Sequence, residues 1–155
     1  MVRLAKREDM KAINAIRKEV FDLHVNALPH IFKVVWDEDK EIEFLKTVLS
    51  DENVLLYIYV KDKKIIGYAH IEKREKFDRG AKESRRWCHL SDFGVTKSER
   101  AKGIGGEFLK AIEKELKSQS FSKLELNVWE FNQSAMKFYE KNGFYTLKRI
   151  MEKDI

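Results

Sequence analysis

Apolar residues near the start of the chain recur every three to four positions. Met10, Ile13, Ile16 and Val20 share one side of a helical period. Asp9 stands before them, a residue type that caps helix N-termini. A second helical stretch is expected over 21–35, interrupted at Leu28-Pro29 because the residue before a proline avoids helical torsions. A further turn or two fits 41–49. Residues 2–5 suit a short opening strand. At Val54 the period changes. The run VLLYIYV over 54–60 is β-branched and aromatic and predicts a strand. Lys61-Asp62-Lys63-Lys64 is a polar turn, and 65–71 is the returning arm of a hairpin. Residues 72–86 (EKREKFDRGAKESRR) are too charged for a core and form the exposed end of a second hairpin, with 86–95 as the next strand.

The clearest helix is 103–117, where Ile104, Phe108, Leu109, Ile112 and Leu116 form one apolar stripe. A strand follows over 123–128. A helix over 132–141 has Asn132 as N-cap, with Phe131 and Met136 spaced as a hydrophobic staple. Asn142-Gly143 closes it, glycine being the usual residue just past a helix end. Residues 144–153 are expected to form a last strand. The order is β-α-α-β-β-β-α-β-α-β: an α/β (α+β) fold with a mostly antiparallel sheet, helices on both faces and a strand–helix–strand crossover at the back. One domain over 1–155 is expected.

Composition narrows the classes. Of 155 residues, 43% are hydrophobic, which argues against intrinsic disorder. The longest apolar run, 54–60, is far short of the roughly 18 residues of a membrane helix, and the opening MVRLAKRED lacks the apolar segment of a secretory signal. A cytoplasmic protein without a membrane partner is the expectation. One cysteine, Cys88, gives no internal disulfide and no cysteine-based metal cluster, so no metal is expected. The net charge of +5 raises nucleic acid as a partner. Its excess lies in the second half without a dense basic run, so a small anionic ligand explains it as well; no nucleic acid is expected.

The segment with chemistry is 95–106, VTKSERAKGIGG, which joins a strand to a helix. Free amides and the positive end of the helix dipole meet there and favour an anion. Gly103, Gly105 and Gly106 admit close backbone approach, and Arg100 and Lys102 add charge. A Walker A loop is absent, and the dinucleotide fingerprint fails because Phe108 holds its last glycine position. A glycine-rich turn with no ligand is the simpler alternative.

Arg100-Ala-Lys-Gly103-Ile-Gly105 matches [RQ]-x-x-G-x-[GA]. The run from Asn132 through Ala135, Phe138, Tyr139, Glu140, Lys141 and Gly143 to Phe144 matches N-x-x-A-x-x-F-Y-E-K-x-G-F. In these two signatures, in this order, the chain resembles the GNAT superfamily of acyl-CoA-dependent N-acetyltransferases. Two departures are Ala101, where glycine is common, and Lys97, where proline is common. The resemblance implies acetyl-CoA as co-substrate, with the amides of Ala101, Lys102, Gly103, Ile104, Gly105 and Gly106 on its pyrophosphate beside Arg100. It further implies the backbone of Phe93 and Val95 along the pantetheine arm, the Val95 N–H on the thioester carbonyl, Asn132 in contact and Phe138 packed alongside.

The implied reaction is direct attack of a neutral primary amine on the thioester, with Tyr139, at the family's tyrosine position, as general acid for the leaving thiolate. A buried packing tyrosine is the alternative. For the base, His89 lies six residues before Val95, where part of the family has a glutamate. Strand alternation would place His89, Ser91, Phe93 and Val95 on one face and Asp92 on the other, unless a bulge breaks the parity. Asp92, Glu130 and a water chain are rivals. The acceptor is expected to be a small-molecule or peptide amine, gripped by the front half. Trp129 either lines its mouth or belongs to the core, while His24 and His30 read as surface or packing residues. A homodimer is permitted by exposed strand edges. A non-catalytic acyl-CoA-binding module and an RNA-binding domain are the alternatives of other classes.

Overall fold

The computed structural model describes residues 1–33, 35–76, 80 and 85–155. Strands β1 (Val2–Leu4), β2 (Val54–Lys61), β3 (Lys64–Lys76), β4 (Arg85–Val95) and β5 (Leu124–Leu126) form one sheet in that order. The first four run antiparallel, and β5 joins β4 in parallel. Helices α1 (Met10–Ala27), α2 (Glu38–Leu49), α3 (Ile104–Ser118) and α4 (Gln133–Lys141) complete the fold.

The faces follow from the strand period. Leu56, Ile58 and Tyr68 point toward α1 and α2, where Met10, Ile13, Ile16 and Leu45 meet them. Tyr57, Ala69, Ile71, Cys88 and Leu90 point toward α3 and bury Phe108, Leu109, Ile112 and Leu116 of its predicted stripe, while Ile104 is buried against Ile66 and Val95. The β2–β3 turn is Asp62-Lys63, both at positive φ (49° and 62°), the backbone of a tight hairpin built without glycine. The expected α/β architecture with helices on both faces is present.

Several boundaries differ. Residues 21–27 continue α1 rather than starting another helix, and Pro29 lies in the turn that follows. Asp9 does not cap α1 with its side chain. It accepts the Lys6 N–H at 2.7 Å and both Arg3 guanidinium nitrogens at 2.8 and 3.0 Å, tying β1 to the helix start. The second hairpin keeps its ladder out to Lys76 and Arg85, so its charged arms are strand; 77–79 and 81–84 at the expected tip lie outside the described residues. Asn132 caps α4 as expected, accepting the Ala135 N–H at 3.1 Å, and Gly143 follows at φ 87°.

The expected last strand is absent. Residues 144–155 pair with no strand, and Tyr145, Leu147, Ile150, Met151 and Ile155 all lie exposed. The sheet therefore ends at three-residue β5. Apolar and aromatic residues such as Phe144, Tyr145, Leu147 and Ile150 suit a strand, but they do not supply the ladder partner.

Candidate functional site

β4 and β5 pair only from Cys88/Leu124 to Leu90/Leu126. Beyond Leu90 they part, and a cleft of about 340 Å³ opens between them. The β4 edge there has a definite polarity. The Thr96 N–H donates to Ile66 O at 2.9 Å, so the 66/96 pair exchanges ladder bonds. By antiparallel alternation the 67/95 and 69/93 pairs do not. Phe93 and Val95 thus turn their amides away from β3, toward the side that β5 has left.

A bulge sets the side chains. Ile71 faces Leu90 and His70 faces Asp92, leaving Ser91 as the extra residue. Cys88, Leu90 and Phe93 consequently pack toward α3, whereas Asp92 turns to α1, where its carboxylate lies 3.7 Å from Arg17 Nε. The uninterrupted alternation, with His89 on the Phe93 face, does not hold. His89 sits on the Asp92 side but just before Leu90, where the lining of the cleft begins, opposite Glu72 and only 8% exposed. Its Nδ1 has no partner among the described residues, and burial holds its pKa below the ordinary histidine value. It does not line the cleft; Asp92 and Tyr139 do. Glu130 is exposed and also outside the lining. Cys88, between the sheet and α3, is buried, and its thiol is pushed up to about 11, so it stays protonated.

Tyr139 lies on α4 among Phe138 and Phe144, with ring centroids 5.2 and 5.5 Å away. Its hydroxyl bonds to no described residue. Burial, and secondarily the negative charge of Asp92, raise its pKa well above the usual tyrosine value. The group is a standing donor.

The loop from β4 to α3 has Ala101 at φ 61° and Gly103 at φ 82°. None of the amides of residues 101–105 donates to a described protein group. A Cβ on Gly103 would meet nothing within 4 Å, so its backbone faces open space. These unpaired amides at a helix start fit a phosphate-bearing group. Gly105 has a different use: a Cβ there would stand 3.1 Å from the Phe138 ring. Phe138 in turn stacks on Phe93 at 5.9 Å, joining the loop to the cleft wall. Arg100 turns back from the loop. Its Nε donates to Val95 O at 2.7 Å and its NH2 to Glu19 at 3.1 Å. Lys102 is exposed and pairs with Glu99 at 3.1 Å.

Glu19 was not legible as a site residue. From α1 it accepts the Lys97 N–H at 2.7 Å and the Thr96 hydroxyl at 3.0 Å as well, so one carboxylate ties down three residues in the first part of the loop. Phe21, His24, Phe32 and Trp36 line the outer cleft with Trp129. Trp129 thus lies at the mouth, and His24, read as surface or packing, belongs to the wall. Asn132 lines the cleft while capping α4, and His30 is exposed in the turn after α1. Among the described residues no helix is long and apolar enough to cross a membrane, and no cluster of three His, Cys, Asp or Glu is placed to hold a metal.

The model of the acetyltransferase (GNAT) family matches residues 17–144. An uncharacterised N-acetyltransferase of Bacillus subtilis (strain 168), YycN, is 35% identical over 66 residues, a match that spans 43% of this chain and 42% of that protein. The fold superposes on a tetramutant of the BH1408 protein from Bacillus halodurans with a TM-score of 0.92 and 23% identity, over 100% of this chain and 99% of the other. It superposes on the aminoglycoside N-acetyltransferase AAC(6')-Iy, in complex with CoA, with a TM-score of 0.77 and 16% identity, over 100% and 93%.

Proposed function

The chain belongs to the GNAT family of acetyltransferases, and from that premise we propose that it moves an acetyl group from acetyl-CoA to the primary amine of a small acceptor, with both substrates bound together. One observation carries the reading. The outward amides of β4, the unpaired amides before α3 and the unbonded Tyr139 hydroxyl are joined through the contiguous rings of Phe93, Phe138 and Tyr139. The CoA complex of a protein with the same fold supports the choice of co-substrate.

Acetyl-CoA supplies a carbonyl activated by its thioester. The chain does the rest. Amides 101–105 hold the pyrophosphate, and Lys102 adds positive charge beside them. The Phe93 and Val95 backbone aligns the pantetheine arm as an added strand would, and the Val95 N–H stabilises the charge that develops on the carbonyl oxygen. Arg100 and Glu19 are positioning residues that keep this edge and loop in register. Gly106, Ile104 and Asn132 shape the surrounding helix starts, and Phe138 packs against the arm.

Asp92 draws the acceptor ammonium into the cleft. Releasing its proton at pH 7 costs about 4.6 kcal/mol for an ordinary alkylammonium. That proton leaves through cleft water; His89 is buried away from the route. The neutral nitrogen attacks, the C–N bond forms and the C–S bond breaks. Tyr139 gives its proton to the departing sulfur and recovers one from the nitrogen, which acylation has made acidic.

Calorimetric titration with acetyl-CoA, followed by thiol release over an amine panel, tests this. Saturable binding and acceptor-dependent release are expected. Binding without release over the whole panel would make the chain a non-catalytic acyl-CoA module, and no binding would end the reading.

A further inference from the structure

We infer that the acceptor is a monoamine with an aromatic or branched-alkyl body, and that the cleft disfavours polycationic amines. This rests on the acetyltransferase reading and adds the acceptor class. The outer cleft is a continuous run of rings. Phe21 meets Trp36 at 4.9 Å, His24 meets Phe32 at 5.3 Å, and Phe32 meets Trp129 edge-on at 5.6 Å. These rings come from α1, the segment after it and the segment after β5, so they enclose the entrance from two sides. Such a wall suits an apolar body and the face of one cation.

The charges decide the count of ammonium groups. Among the described residues lining the cleft, Asp92 is the one carboxylate. Arg17 stands beside it, its side chain 15% exposed, held by Glu41 at 2.9 Å and covered by the Trp36 and Phe44 rings. A first ammonium finds Asp92. A second or third would face Arg17 and aromatic surface, losing hydration with no anion in return. The likeness to aminoglycoside acetyltransferases, at 16% identity, is one of fold.

The test uses the full chain with phenethylamine, spermidine and kanamycin. Phenethylamine is expected to be acetylated with kcat/KM at least tenfold above either polycation, and to change the fluorescence of Trp36 and Trp129 saturably. Trp129→Ala is expected to lower its kcat/KM about tenfold. Equal or better turnover of kanamycin or spermidine overturns the inference. So does acetyl-CoA binding with no binding or turnover of phenethylamine. A fluorescence response to phenethylamine without any acetyl-CoA binding would leave the acceptor class standing and sink the acetyltransferase reading instead.

Discussion

The Phe138 ring lies directly against Gly105, so close that a single methyl group on that glycine would stand 3.1 Å from the ring edge. The helix start and α4 are therefore in contact through a missing side chain, and the ring on the other side stacks on Phe93. Gly105→Ala should push Phe138 off this stack. A stability loss of about 1–2 kcal/mol is expected from overpacking, with weaker acetyl-CoA binding. Thermal denaturation and calorimetry on the same variant check both. A variant of normal stability and affinity would show that the ring yields freely.

Tyr139→Phe removes a hydroxyl that bonds to no described residue, so the fold should lose little. The expected change is a fall in kcat of about a hundredfold, from the loss of the proton donor, with unchanged acetyl-CoA affinity. Steady-state kinetics beside a melting curve separate the two effects. A wild-type kcat would remove Tyr139 from the chemistry.

The pH profile follows from the same group. Because its pKa is raised, Tyr139 keeps its proton throughout the range below its ordinary value near 10. The acceptor amine, in contrast, gains its reactive neutral form as pH rises. Activity should climb about tenfold per unit from pH 6 to 9 at subsaturating acceptor, with no descending limb in that interval. A fall between pH 8 and 9 in kcat/KM would point to an acid of lower pKa.

Asp92→Asn should raise the acceptor KM more than tenfold while sparing acetyl-CoA affinity. It should also lower the pKa of Tyr139 and Tyr68, since the Asp92 charge contributes to raising both. Steady-state kinetics over a range of acceptor concentrations, beside calorimetry with acetyl-CoA, read the first effect. An unchanged KM would place the ammonium elsewhere.

Truncation after Phe144 tests the last segment. Tyr145, Leu147, Ile150, Met151 and Ile155 are 64% or more exposed, and among the described residues no strand lies beyond the β5 edge. The full chain should self-associate as concentration rises, and the chain ending at Phe144 should not. Light scattering across a concentration series decides. A full chain that stays monomeric throughout would show that the apolar tail has no use for a second copy.

The elements were legible wherever a face is buried. The α3 stripe, the 54–60 strand and the Asn132 cap all come from local rules, and each is present. Residues 21–27 misled because Leu28-Pro29 stops a helix without starting a new one. The tail at 144–153 misled because strand-forming residue types are local and pairing is not. The two signatures located the loop and Tyr139. Part of the cleft wall was legible, with Trp129 a candidate for its mouth and Asp92 a candidate base; Arg17, Phe32 and Trp36 were not, since they lie far from both in sequence and converge on them only through the packing of α1 against the sheet. Nor was Glu19, whose three loop contacts look, in sequence, like one more charge on a helix.

One extra residue, Ser91, divides β4 into two frames. Upstream of it odd-numbered side chains point one way; downstream they point the other. Without residue 91, Leu90 and Asp92 would be direct neighbours in an ordinary alternation: Asp92 would still turn to α1, Phe93 would still pack toward α3, and the 71/90 and 70/92 pairs would be consecutive. The numbering frames differ while the faces agree, so the bulge holds one residue that the ladder itself does not need. Loss of that residue straightens the edge and leaves its faces in place, whereas one further residue gained between Leu90 and Asp92 must be taken up in a wider bulge or else exchanges inside for outside as far as Val95.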